Sequence, residues 1–175
     1  MKKILFTLAL LVSFSSFGQD YDDGTDRQDF DPIEYYDSGA VASTMSIVDG
    51  IPQGEYIQYY ESGAVMIKGN FEDGKLQGKY MQYYESGNIL TKASFFEGKP
   101  QGEAIAYYES GAVMAKTFQD DGKPQGEQIA YYENGELQSK VNYVDGKVQG
   151  EQIAYYENGE IKAIKNYKDG VLIED

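Results

Sequence analysis

The stretch that decides the fold runs from Gly126 to Gly150, GEQIAYYENGELQSKVNYVDGKVQG. Glu127 to Tyr132 is a short run holding Ile129, Tyr131 and Tyr132, the residue types that favour a strand. Glu133-Asn134-Gly135 reads as a turn, because Asn and Gly tolerate positive φ. Glu136 to Val144 is the return strand, and Asp145 to Gly150 reads as a wider connection with a glycine at each bend. The unit is two strands and two turns, and no helix-length apolar period interrupts it.

The same unit recurs through the chain. Tyrosine pairs stand at Tyr35-Tyr36, Tyr59-Tyr60, Tyr83-Tyr84, Tyr107-Tyr108, Tyr131-Tyr132 and Tyr155-Tyr156, always 24 residues apart. Each pair is followed by an acid, then Ser or Asn, then a glycine: Gly39, Gly63, Gly87, Gly111, Gly135, Gly159. A second glycine column runs Gly50, Gly74, Gly98, Gly122, Gly146, Gly170, and a third Gly54, Gly78, Gly102, Gly126, Gly150, each of the third preceded by Gln. These columns hold 17 of the 20 glycines, so glycine marks turns here and not general flexibility.

A period of two along a strand assigns the faces. Ile57, Met81, Ile105, Ile129 and Ile153 share a face with the first tyrosine of each pair, which is read as packing in the core. The second tyrosine points the other way, beside Gln58, Gln82, Ala106, Ala130 and Ala154. In the return strands, Val41, Val65, Ile89, Val113, Leu137 and Ile161 form one column. Phe71, Phe95, Tyr143 and Tyr167 form another, broken by Gln119 with Phe118 one place earlier, where a bulge would restore the face.

A lone hairpin buries too little apolar surface to stand, whereas stacked copies cover one another. The predicted fold is all-β: an elongated open antiparallel sheet of six tandem 24-residue β-hairpin repeats, a solenoid-like ribbon over residues 31–175. Twelve strands about 4.8 Å apart would make it about 55–60 Å long.

Gly122-Lys123-Pro124-Gln125-Gly126, followed by Tyr131-Tyr132-Glu133-Asn134-Gly135, closely resembles the MORN-repeat-variant family of bacterial proteins, and the likeness covers about residues 31–173. The resemblance implies hairpin-built open sheets that serve as binding scaffolds. One branch of the family comprises antitoxins that act on toxins inside the producing cell. Classical MORN repeats have been linked to phospholipids.

The amino terminus points away from the cytoplasm. Lys2 and Lys3 precede an apolar run from Ile4 to Phe14, and Ser16-Phe17-Gly18 offers small residues at the −3 and −1 positions. Residues 1–18 are read as a signal peptide cleaved before Gln19, and residues 19–30 as an acidic disordered arm. Export departs from the antitoxin arrangement. The mature chain has 13 basic and 29 acidic residues, a net charge of −16, which disfavours nucleic acid and anionic membranes and favours a basic partner.

Catalytic chemistry finds little to work with. The chain has no His and no Cys, so the usual neutral-pH base, a nucleophilic thiol and His or thiolate metal sites are all missing. The acids Asp37, Glu61, Glu85, Glu109, Glu133 and Glu157 recur as a turn column, and the cluster Asp20 to Asp31 has its Gly24 fifth, not sixth, from Asp20, out of register for a calcium loop. No enzyme activity, cofactor or metal is expected. The candidate binding face is the column Tyr36, Tyr60, Tyr84, Tyr108, Tyr132 and Tyr156, rings in a row that suit a protein partner or a glycan. Three readings follow: an exported protein-binding scaffold, a glycan or cell-wall binder using the tyrosine row, or an antitoxin or immunity protein for a basic toxin.

Overall fold

The computed structural model describes residues 32–173. The residues read as a signal peptide, 1–18, and as an acidic arm, 19–30, lie outside them. The described residues form one antiparallel sheet with no helix. Its strands are β1 Ile33–Tyr35, β2 Val41–Val48, β3 Ile51–Tyr59, β4 Val65–Glu72, β5 Lys75–Leu76, β6 Gly78–Tyr83, β7 Ile89–Phe96, β8 Lys99–Pro100, β9 Gly102–Tyr107, β10 Val113–Asp120, β11 Lys123–Tyr131, β12 Leu137–Val144, β13 Lys147–Val148, β14 Gly150–Tyr155, β15 Ile161–Lys168 and β16 Val171–Ile173. Long strands pair in chain order, so the sheet is a simple meander with every tyrosine turn on one edge and every Asp-Gly or Glu-Gly turn on the other. The all-β ribbon of hairpin repeats is as the sequence predicts.

The two turns are not the ones expected. At the tyrosine edge the Gly39 N–H donates to the Tyr36 carbonyl at 2.8 Å, and the Tyr36 N–H donates to the Ala40 carbonyl at 2.8 Å. That pattern is a three-residue loop ending in a glycine bulge. Only the glycine lies at positive φ, +88° at Gly87 and +87° at Gly111, so Ser or Asn before it needs no unusual backbone. On the other edge the expected wide connection is a tight two-residue hairpin: Val48 pairs with Ile51 across Asp49 and Gly50, both at positive φ. Two consecutive left-handed residues suit the right-handed twist of the flanking strands. Five units place Asp at the first position, and the unit at 97–98 places Glu97 there at φ +51°.

A second irregularity shapes the ribbon. Thr44 pairs with Ile57 and Ser46 with Gln53, so Gly54, Glu55 and Tyr56 together face Met45 alone. In the same way Gly126 to Gln128 face Thr117. Two extra residues per repeat, with Gly54 or Gly126 at positive φ, bend each unit at the same place. The third glycine column therefore serves this bend. The bend gives the sheet a closed face, where Met45, Tyr56, Phe71, Leu76, Tyr80, Ala93, Phe95 and Ala104 form the core. Tyr56 meets Phe71 edge-on with ring centroids 5.8 Å apart, and Tyr80 meets Phe95 at 5.4 Å. Gly69 is glycine because a Cβ there would sit 2.8 Å from the Leu76 side chain.

The closed face is thus the one shared by Tyr56, Gln58, Ala104 and Ala106, opposite to the side expected from the isoleucine column. Ile57, Ile105 and the first tyrosines from Tyr59 to Tyr155 are half-buried on the open face, with Lys68, Lys92, Lys116 and Lys140 in the facing strands, while Tyr35 in the first unit is exposed. Apolar lysine stems cover such rings while their ammonium groups stay in water. The expected bulge at Phe118 is absent: Gln119 pairs with Gly102 as Phe95 pairs with Gly78, and Phe118 stays exposed.

Replacing Gly87 or Gly111 by Val is expected to cost about 1–3 kcal/mol through backbone strain. Glu97→Asp is expected to raise stability by about 0.5 kcal/mol, since Asp occupies left-handed backbone several-fold more readily. Denaturant midpoints of the three variants check this, and three unchanged midpoints would remove the turn assignment.

Candidate functional site

The second tyrosines, singled out as a binding row, are the clasps between repeats. Five of the six donate the hydroxyl to the carbonyl of the first tyrosine in the next unit: Tyr36 to Tyr59, Tyr60 to Tyr83, Tyr84 to Tyr107, Tyr108 to Tyr131 and Tyr132 to Tyr155, at 2.5 to 2.8 Å. The acceptor carbonyls lie where the hairpin register shifts. Five rings are half-buried in these joints, while Tyr156, in the last repeat, is 49% exposed.

The opposite edge is clasped by a residue type to which sequence reasoning gave no role. The Gln53 side-chain oxygen accepts the Asp73 N–H, and Gln77, Gln101, Gln125 and Gln149 do the same for Glu97, Asp121, Asp145 and Asp169, at 2.8 to 2.9 Å. The neighbouring turn N–H is also held, as Gly74 N–H donates to the Pro52 carbonyl at 3.0 Å. Each of these five hairpin turns thus lends both central N–H groups to the unit before it. The signal was visible as a Gln before each third-column glycine, at a surface position where no exposed side chain is required.

Beside the tyrosine clasps lie the acids. Asp37, Glu61, Glu85, Glu109, Glu133 and Glu157 are all exposed. Among the described residues the ion pairs lie elsewhere: Lys68 with Glu55 at 3.2 Å, Lys99 with Asp121 at 2.6 Å, and Lys75 with Glu97. The tyrosine edge therefore presents one unneutralised carboxylate per repeat, about 10 Å from the next, two strand spacings apart. Burial, and then the Glu109 and Glu133 carboxylates, hold the Tyr84 phenol above its ordinary range; burial, Glu85 and Glu109 do so for Tyr60. Rings at this end also accept cations, since the Lys162 ammonium sits 5.4 Å from the Tyr156 ring centroid and Lys92 the same distance from Tyr107.

A cleft of about 340 Å³ opens on the closed face, bounded by Ala104, Thr117, Gln119, Pro124, Gln128 and Tyr143 among others. It lies where the ring pairs of the preceding units stop.

Fold and joints together define a tandem-repeat scaffold: an open ribbon of hairpins, each clasped to the next along both edges. Residues 52–73, 76–96, 124–145 and 148–169 match the MORN repeat variant, so the chain carries at least four repeats of that family, which generally serve as binding scaffolds. No curated protein matches the chain. A solved structure described as the GtfA/B complex bound to UDP and GlcNAc is similar at 9% identity and a TM-score of 0.27. The match covers 64% of this chain and 22% of that one, and so loose a likeness transfers nothing.

Tyr84→Phe removes one clasp and is expected to cost about 0.5–1.5 kcal/mol in denaturant unfolding. High pH should weaken the joints and the core together. Burial holds the Tyr60, Tyr84 and Tyr108 phenols of the joints and the Tyr56 phenol of the core above the ordinary 10.0, and pushes Tyr80 up to about 12. The folded chain then holds protons that the unfolded chain releases, so stability is complete below pH 10 and falls as pH rises toward 12. Tyr80 alone accounts for on the order of 2–3 kcal/mol. Unfolding midpoints measured across this range check the sign.

Proposed function

We propose that the mature chain is an exported, non-catalytic scaffold that binds a basic protein segment along its tyrosine-turn edge. The observation that supports this most is the row of unpaired carboxylates from Asp37 to Glu157, set at a regular interval on a rigid ribbon. A basic segment laid along this edge meets one carboxylate per repeat, and evenly spaced weak contacts on one rigid body add as a multivalent set. The rings beside them, as at Tyr156 and Lys162, suit the aliphatic stems and charged heads of lysine and arginine. A basic toxin would be one such partner. A glycan has less support, because five of the six hydroxyls are engaged in the joints and sugar recognition would compete for them.

Export rests on the sequence of residues 1–18. Mature protein recovered from the native host is expected to begin at or near Gln19, and intact Met1 in a cytosolic fraction would overturn it. For the binding edge, affinity capture from the native envelope should retain a basic protein that salt elutes. The variant Glu85→Gln/Glu109→Gln/Glu133→Gln, which leaves every clasp in place, should lose most of that retention. Equal retention by the parent and the folded variant would sink this reading.

A further inference from the structure

We infer that the cleft between the fourth and fifth hairpin units is a receptor for one tyrosine side chain presented by a partner protein. This rests on the scaffold reading but not on the acidic edge. The repeats themselves specify the missing occupant. At the bend of each unit one residue of the first strand meets one of the return strand. In two successive units that pair is aromatic, Tyr56 with Phe71 and Tyr80 with Phe95. In the next unit the same two positions are Ala104 and Gln119, in unchanged register. Thus a backbone that encloses two rings in each of the two preceding units encloses none of its own here, and the cleft of about 340 Å³ is the result.

The walls are deep and already dehydrated, with Ala104 3% and Thr117 5% exposed. Ala93, Ala104, Pro100 and Pro124 are apolar, and the Tyr143 ring closes one side. Polar side chains line the same place: Thr117, Gln119 and Gln128. A purely apolar ring would cover the half-buried Gln119 and Gln128 side chains and leave their amides without partners, which is costly. A phenol satisfies both demands, with its ring against the prolines and its hydroxyl toward the amides. It is also the group that this bend position holds in the two earlier units, at Tyr56 and Tyr80. The volume stands at the small end for ligand sites, which suits one ring and not an extended chain.

The test titrates N-acetyl-tyrosinamide into the isotope-labelled mature protein. Saturable amide shifts are expected at Ala104, Thr117 and Tyr143. Gln119→Phe restores the ring of the repeat, so it should raise the thermal midpoint and weaken the titration by at least about tenfold, a loss of roughly 1.4 kcal/mol. Ala104→Tyr should do the same and stands in if the first variant misfolds. The charge variant Glu85→Gln/Glu109→Gln/Glu133→Gln should bind the probe like the parent, which separates this site from the acidic edge. The inference is overturned if the parent shows no saturable shifts, if both filling variants keep them, or if both lower the thermal midpoint. N-acetylglucosamine moving the same amides at lower concentration than the tyrosine probe would overturn it in favour of a sugar site.

Discussion

A hairpin of two strands is not stable alone in water, so every unit of this ribbon depends on its joint with the next. The joint is made at the turns, where an antiparallel sheet ordinarily has main-chain groups to spare. On one edge the carbonyl of the first tyrosine is taken by the hydroxyl of the previous unit's second tyrosine. On the other edge both N–H groups of a tight turn are taken, one by a glutamine side chain and one by a carbonyl two strands back. These bonds explain why Gln, Tyr-Tyr and the glycines recur without drift in spacing. Inserting one residue between clasps would misplace donor and acceptor at both edges at once.

The bend adds what a flat sheet lacks. A flat ribbon one layer thick exposes both faces, and half of its apolar side chains would stay wet. Three residues opposite one fold the sheet toward one side at each repeat, and the side chain of the last of the three turns into the core. Tyr56, Tyr80 and Ala104 are buried there, while Gln128 and Gln152 take that place further on and are only half-buried. The core thins toward the carboxyl terminus accordingly, and Ile161, Ile164 and Leu172 are exposed.

Period, strand count per unit and meander were legible in the sequence, because a 24-residue repeat with three glycine columns leaves few alternatives. The faces were not. Strict alternation from the isoleucine column points Ile57 inward, but apolar residues stand on both faces, so alternation alone has no sign. The bend settles it, and the bend is visible only in the pairing, where Gly54 to Tyr56 oppose Met45. The turn types were partly legible. Asp-Gly at 49–50 and 145–146 is a strong two-residue hairpin signal, but the glycine four residues later suggested one long connection. The tyrosine row was found correctly as a column, yet its hydroxyls answer to carbonyls 23 residues away, which spacing alone does not reveal.

The unit spanning residues 100–121 ties the joint and the cleft together. It lies between segments that match the MORN repeat variant and is not itself matched. Its clasps are nonetheless complete: Gln101 holds the Asp121 N–H, Gly122 donates to Pro100, and Tyr108 reaches Tyr131. What departs from the two preceding units is packing, with Ala104 for tyrosine, Gln119 for phenylalanine and Phe118 turned out to solvent. A repeat that was merely decaying would lose joints and core alike, because nothing would protect one over the other. Here the main-chain geometry is intact around a hole, so the hole is held open by a frame that does not need it filled. That separation of frame from filling allows one unit of a repetitive ribbon to become different from its neighbours without breaking the ribbon.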